Sequence, residues 1–157
     1  MGHRIWAGDG MIEIRVVEDG DVAGLMALYR AAGLDSEGGF TAEEATERLA
    51  EFRRYPSYRL FVAVDAGELV GTYSLLVMDK LTKRGRRVGV VDDVGVSPEQ
   101  QGKGIGRAMM EHAMEECRAA GCYKMMLSSN LKRTEAHAFY ERLGFERHGW
   151  SFVVSMD

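Results

Sequence analysis

Apolar residues at alternate positions, Ile12, Ile14 and Val16 set against Glu13, Arg15 and Val17, predict a half-buried strand that begins at Met11. After Asp21, which is placed to cap a helix, the apolar spacing changes to Val22, Leu25, Met26, Leu28 and Tyr29, a helical stripe ended by Gly33. The connection 34–40 holds Gly38 and Gly39 and is expected to be mobile. Thr41 with Glu44 three residues later has the spacing of a capping box for a helix that runs to Tyr55, where Pro56 stops it. A hairpin of 58–64 against 69–78 follows, turning at Asp65-Ala66-Gly67-Glu68. Then come a strand over 88–96, a helix to Ala120 with Ile105, Met109, Ala113, Cys117 and Ala120 on one face, a strand over 125–129, a helix over 134–143 and a closing strand over 152–156.

This order predicts an α/β fold with a mixed, mostly antiparallel sheet and flanking helices. The strand, helix, strand passage from Val96 to Met125 makes that pair parallel, with a right-handed crossover. Residues 1–10 fall outside the pattern and read as an N-terminal extension. Residues 11–157 read as a single domain, without repeats, low-complexity tracts or a linker.

The densest chemical signal is 88–107, VGVVDDVGVSPEQQGKGIGR. A β-branched strand enters Pro98 and then a turn in which Gly102, Gly104 and Gly106 alternate with Lys103 and Ile105. Glycines allow successive N–H groups to aim at one point, and the helix that follows adds its unpaired N-terminal N–H groups. A phosphate or pyrophosphate suits that site, with Lys103 as a mobile charge beside it. The dinucleotide fingerprint does not fit, because the sixth position counted from Gly102 is Arg107, and a Walker loop does not fit, because Gly104 follows Lys103. A glycine-rich turn without any ligand is the bland alternative.

Gln101, Gly104 and Gly106 fill the pattern Gln/Arg, two residues, Gly, one residue, Gly/Ala, and so resemble the acyl-CoA-binding motif of the GNAT N-acyltransferase superfamily. Downstream, KMMLSSN followed by TEAHAFYERLGF is similar to that family's next strand and helix, so the resemblance covers 88–145. It implies acetyl-CoA as co-substrate, without a metal, and a parallel central pair of strands splayed to admit pantetheine. It places Val94, Gly95 and Val96 along the pantetheine, with the N–H of Val94 or Val96 polarising the thioester carbonyl. It places Gln101, Gly102, Lys103, Gly104, Ile105, Gly106 and Arg107 around the phosphates, Asn130 at the splayed strand end, and Tyr140 near the CoA sulfur as general acid. A phenol, with a pKa near 10 against about 8.5 for a thiol, stays protonated at neutral pH and can donate to a developing thiolate. Read from periodicity alone, Tyr140 belongs to a core stripe with Ala136, Phe139 and Leu143, and Asn130 is a loop asparagine.

Acyl transfer to an amine also requires the nucleophile to be neutral. Asp92 and Asp93 stand next to each other on the strand leading to the glycine turn, so they point to opposite faces unless a bulge intervenes. One of them, with Asp93 slightly favoured, is a candidate base or acceptor anchor, since a desolvated carboxylate takes up a proton more readily. The alternative leaves one solvated and the other bonded to backbone N–H groups.

Composition narrows the partners. Hydrophobic residues are 46% and charged residues 28%, as in ordinary globular proteins, and the net charge of −4 gives no general attraction to nucleic acid or anionic membrane. No apolar run is long enough to span a bilayer and the N-terminus lacks a signal-peptide core, which points to the cytoplasm. Cys117 and Cys122 lack metal-ligand spacing, as do His112 and His137. The loop 79–87 carries Lys80, Lys83, Arg84, Arg86 and Arg87, either as a solvated tip or as a lure for an anionic acceptor. The expected partner is a small-molecule amine such as an amino sugar or aminoalkylphosphonate. A peptide acetyltransferase and a non-catalytic acyl-CoA-binding module are the alternatives, and Phe152, Val153 and Val154 could pair across a homodimer.

Overall fold

In the computed structural model, which describes residues 2–8, 10–36, 38 and 40–156, a six-stranded sheet runs in sequence order. Its strands are β1 (His3–Ala7), β2 (Gly10–Val16), β3 (Tyr58–Asp65), β4 (Glu68–Met78), β5 (Arg87–Val96) and β6 (Cys122–Leu127). Neighbours from β1 to β5 are antiparallel, and the connection from β2 to β3 carries two helices. The helix α3 (Ile105–Ala119) carries the chain from β5 to β6, and those two strands form the parallel pair. The mixed, mostly antiparallel α/β fold is therefore as the sequence pattern predicts.

Both faces of the central strands are covered, so β4 is buried on consecutive residues from Val70 to Leu75 instead of alternately. On one face α1 (Val22–Ala31) and α2 (Ala42–Phe52) pack Val22, Leu25 and Leu49 against Val17, Leu60 and Val62. On the other, α3 buries Ile105, Met109, Ala113 and Cys117, the face expected from their spacing. Contact there is close: a Cβ at Gly71 of β4 would lie 2.7 Å from the Met109 sulfur. The β2 alternation shifts phase at its end, where Val17 is buried and Val16 is 43% exposed.

The capping box at α2 is formed, with the Glu44 N–H donating to Thr41 Oγ1 at 3.2 Å and the Thr41 N–H to Glu44 Oε2 at 2.8 Å. Asp21 departs from expectation. Its carboxylate accepts the Glu18 N–H at 2.7 Å and pairs with Arg15, so it serves the turn before α1 and makes no side-chain cap to the helix. Gly39, counted in the expected mobile connection, lies outside the described residues.

Two elements correct the sequence reading. Residues 1–10, expected outside the fold, contain β1, which pairs with β2 from His3 opposite Ile14 to Ala7 opposite Gly10. Backbone pairing holds this strand and apolar burial contributes little, since Trp6 remains 71% exposed, so no hydrophobic period announces it. The closing strand expected over 152–156 is not formed, and Phe152 and Val153 are 92% and 96% exposed. Alternating apolar residues make a strand only where an edge accepts their backbone groups.

The chain forms two compact units, one up to Met126 and one from Leu127 onward. The second holds the end of β6 and α4 (Thr134–Arg142).

Candidate active site

A bulge interrupts β5, so the plain alternation of Asp92 and Asp93 to opposite faces does not hold. Thr72 lies opposite Gly95 and Ser74 opposite Asp92, so Tyr73 alone faces both Asp93 and Val94. Two residues against one leave backbone groups that the ladder does not pair. Asp93 takes the left-handed conformation there, φ +48°, a region that short polar side chains tolerate better than other non-glycine residues. The turn is held locally: the Asp93 N–H donates to Asp92 Oδ1 at 2.9 Å, and the Ser74 hydroxyl donates to the Asp92 carbonyl at 3.1 Å.

The bulge separates the roles of the two carboxylates. Asp92 is engaged as an acceptor for the backbone, whereas partial desolvation, and after it the Asp92 charge, holds the Asp93 carboxyl above the ordinary carboxylate range. Tyr29 on α1 feels the Asp93 charge; burial first, then Asp93, pushes its phenol up to about 12, with a hydrogen bond to Thr72 opposing. Close approach brings the end of α1 onto this strand. A Cβ on Gly95 would come within 2.8 Å of Leu34 Cδ1 and 3.1 Å of Ala32 Cβ. Gly95 therefore lets the loop after α1 lie against the strand beside Asp93.

Beyond Val96 the chain turns through Pro98–Gln100 into the glycine loop. Gly102 and Gly104 have φ of +82° and +81°, the conformations for which a glycine-rich turn was read from the sequence. Gly104 caps α3, whose first helical bond is Ala108 N–H to the Gly104 carbonyl at 3.0 Å. The N–H groups of Ile105, Gly106 and Arg107 precede that bond and have no acceptor within the helix. Lys103 Nζ donates to Gln100 Oε1 at 3.0 Å, and Arg107 lies 3.6 Å from Glu111, so both cations border the loop. The arrangement can receive an anion on backbone N–H groups at the end of the strand that carries the bulge.

In the second unit, Asn130 Oδ1 accepts the Lys132 N–H at 2.9 Å, an Asx turn that leads into α4. Its carbonyl takes the Arg133 N–H at 2.9 Å and bonds His137 Nε2 at 2.8 Å. Tyr140 stands on α4 between Phe139 and Phe145, ring centroids 5.2 and 5.5 Å away, edge to face. Burial raises its pKa, with Arg133 opposing, so the phenol keeps its proton at neutral pH.

The basic loop does not join this group. Arg87 opens β5 and Asp93 lies six residues further along, about 20 Å at the strand rise. Its cations find partners at that far end: Arg87 with Asp79 at 2.9 Å, and Arg86 over the Tyr123 ring at 5.1 Å. A pocket of about 290 Å³ beside Val17, Phe52, Tyr55 and Tyr58 includes none of the expected site residues. Among the described residues, no three His, Cys, Asp or Glu side chains are placed to hold a metal ion, and no helix is long and apolar enough to cross a membrane. Cys117 is buried and its thiol pushed up to about 12 by desolvation, which makes it inert as a nucleophile.

Sequence reasoning missed two features. By periodicity Tyr29 is one member of a packing stripe, and only the packing of α1 on β5 reveals its proximity to Asp93. The second is a buried contact under α3, where Tyr73 Oη lies 2.6 Å from His112 Nδ1 and His112 Nε2 lies 3.8 Å from Glu116. An aromatic residue amid β4 and a histidine on the apolar face of α3 were the available signals.

Comparison with known proteins agrees with this geometry. The chain is 34% identical over 139 residues to a glucosamine 6-phosphate N-acetyltransferase of Trypanosoma brucei brucei, a match that covers 87% of this chain and 90% of that protein. An aminoalkylphosphonate N-acetyltransferase of Salmonella typhimurium is 33% identical over 101 residues, 64% of this chain and 65% of that protein. The crystal structure of glucosamine-6-phosphate N-acetyltransferase from Arabidopsis thaliana superposes with a TM-score of 0.83 at 27% identity, covering 93% of this chain and 99% of that one. A profile of the acetyltransferase (GNAT) family matches residues 25–145, and with the bulged strand, the glycine loop and these relatives it establishes that the chain belongs to the GNAT family of acetyltransferases.

Proposed function

We propose that this protein transfers the acetyl group of acetyl-CoA to the primary amine of a small molecule that also carries a phosphate or phosphonate. The observation that carries the reading is the β5 bulge, which interrupts the ladder and sets a carboxylate of raised pKa on the strand that leads into the glycine loop. The acceptor class is supported by two relatives whose names specify glucosamine 6-phosphate and aminoalkylphosphonate, both amines joined to a phosphorus oxyanion.

In this mechanism the CoA diphosphate lies on the N–H groups of Ile105, Gly106 and Arg107, with Gln101, Gly102, Lys103 and Gly104 around it. The pantetheine follows Val94, Gly95 and Val96, with Asn130 at its side. The N–H of Val94 or Val96 binds the thioester oxygen as negative charge develops there. Asp93, with Asp92 fixing its turn, takes a proton from the acceptor ammonium directly or through water. The amine lone pair attacks the carbonyl carbon, the tetrahedral intermediate collapses, and the carbon–sulfur bond breaks. Tyr140 gives its proton to the departing thiolate and recovers one, through water, from the acylated nitrogen, while Asp93 releases its proton to solvent, so the products are the N-acetylated amine and CoA, without an acyl-enzyme. The enzyme works as a homodimer, which covers the exposed apolar residues near the C-terminus.

The test is a matched pair of acceptors, glucosamine 6-phosphate against glucosamine and an aminoalkylphosphonate against the corresponding alkylamine, with kcat/KM as readout. Preference for the phosphorylated member of each pair is expected. Transfer to peptide N-termini or lysines, with none to either pair, would overturn the acceptor class.

A further inference from the structure

The N-terminal hairpin touches the glycine loop. β1 lies along α3, with His3 Nε2 at 3.7 Å from Glu115 and its ring 5.4 Å from that of His112. The turn that ends β1 reaches the start of the same helix. A Cβ on Gly8 would fall 2.9 Å from the Lys103 carbonyl oxygen and 3.4 Å from Lys103 Cβ, while a Cβ on Gly104 would lie 3.7 Å from the Gly8 nitrogen. Two backbones pack against each other there, and glycine on one side is what permits it.

The loop has little internal support of its own. Gln101 N–H and Lys103 N–H donate to Pro98 and Gln100 carbonyls at 3.4 Å each, long for amide bonds, and the N–H groups of Gly102 and Gly104 have no backbone partner among the described residues. Glycine-rich segments lose the most backbone entropy on ordering, so a loop of this kind binds tightly only if something fixes it beforehand. The hairpin is anchored at several points, through the β1–β2 ladder and through His3, and its turn rests on the least supported part of the loop.

Resting on the reading of the loop as the CoA diphosphate site, we propose that the Gly8 turn is a buttress of that site: the N-terminal hairpin holds Lys103 and Gly104 in the conformation that binds the donor's phosphates. Gly8 is thus a positioning residue that acts through Lys103, and the hairpin sets donor affinity without touching the acetyl group or the acceptor.

Three variants test this. Gly8→Ala places a Cβ against Lys103 and strains φ of +58°, whereas Gly8→Asn adds the same Cβ with a side chain that tolerates positive φ. Gly10→Ala places a Cβ in open space on the same hairpin and serves as the control. Calorimetry with CoA should show Kd raised about tenfold in both Gly8 variants, the scale of releasing one ordered residue, and unchanged in Gly10→Ala. Turnover of acetyl-pantetheine, which has no diphosphate, should be equal in all three and in wild type. CoA affinity equal to wild type in both Gly8 variants, tighter binding in either, or parallel loss with CoA and acetyl-pantetheine would overturn the proposal. Failure of the wild-type protein to bind CoA would instead remove the underlying assignment of the loop.

Discussion

Asp93 combines a left-handed backbone with a carboxyl that the fold holds in part away from water. Its folded pKa lies above the unfolded value, so the native state binds the proton more tightly, and stability falls as pH rises through the window that starts near the ordinary carboxylate pKa. At neutral pH the ionised group therefore works against the fold. Asp93→Asn, which keeps a side chain suited to positive φ, should raise the melting temperature at pH 7 while lowering kcat by about 10²- to 10⁴-fold, the usual loss for a general base. The acid limb of the wild-type pH–rate profile should vanish in the variant; an unchanged kcat would remove Asp93 from the reaction. His112 runs the other way. Burial lowers its pKa against the pull of Glu116 and Glu115, with His3 and Arg59 adding to the lowering and Tyr73 bonded to Nδ1. Stability is then full above the unfolded value near 6.5 and is lost as pH falls below it, because the unfolded chain takes up the proton first. His112→Gln should flatten the fall in melting temperature between neutral pH and about pH 5.5, and an identical slope in the variant would assign the acid sensitivity elsewhere.

At the scale of elements, the strand–loop–helix from Val88 to Ala119 was legible because each part carries its own signal. The β-branched run, the proline and the alternate glycines are all local, whereas the bulge between Asp92 and Gly95 is the exception to the strand alternation that places adjacent carboxylates on opposite faces. β1 left no such trace, since five residues held by backbone pairing with Trp6 exposed have no apolar period. The segment 152–156 erred in the opposite sense, as its apolar residues imply burial that the described chain does not provide. Gly104→Val isolates the loop. Among the described residues a Cβ there meets only the Gly8 nitrogen, at 3.7 Å, so the penalty is mainly the φ of +81°, on the order of 1–2 kcal/mol. Calorimetry should find CoA binding lost while the thermal transition remains cooperative. Retained affinity would mean that the diphosphate lies elsewhere.

For the whole molecule, the sequence resolves the family more sharply than the acceptor. The proposed donor site is a short contiguous loop, whereas Tyr29, Leu34 and Gly95 meet beside Asp93 only after α1 packs on β5, and no local spacing encodes that meeting. Trp150, Phe152, Val153, Val154 and Met156 are exposed apolar residues close together in the chain, of a kind that marks an interaction surface. Sedimentation should therefore find a dimer, and Phe152→Asp with Val154→Asp should give a monomer that still melts cooperatively. A monomeric wild type would contradict the proposed assembly.

The most direct test of the account is thiol release from acetyl-CoA, followed with and without glucosamine 6-phosphate, an aminoalkylphosphonate, a polyamine and a short peptide, alongside calorimetric binding of CoA. Release is expected to depend on a small-molecule amine and to yield one N-acetylated product for each CoA freed. Tight CoA binding with no release from any acceptor would contradict it and leave a module that holds acyl-CoA without transferring the acyl group.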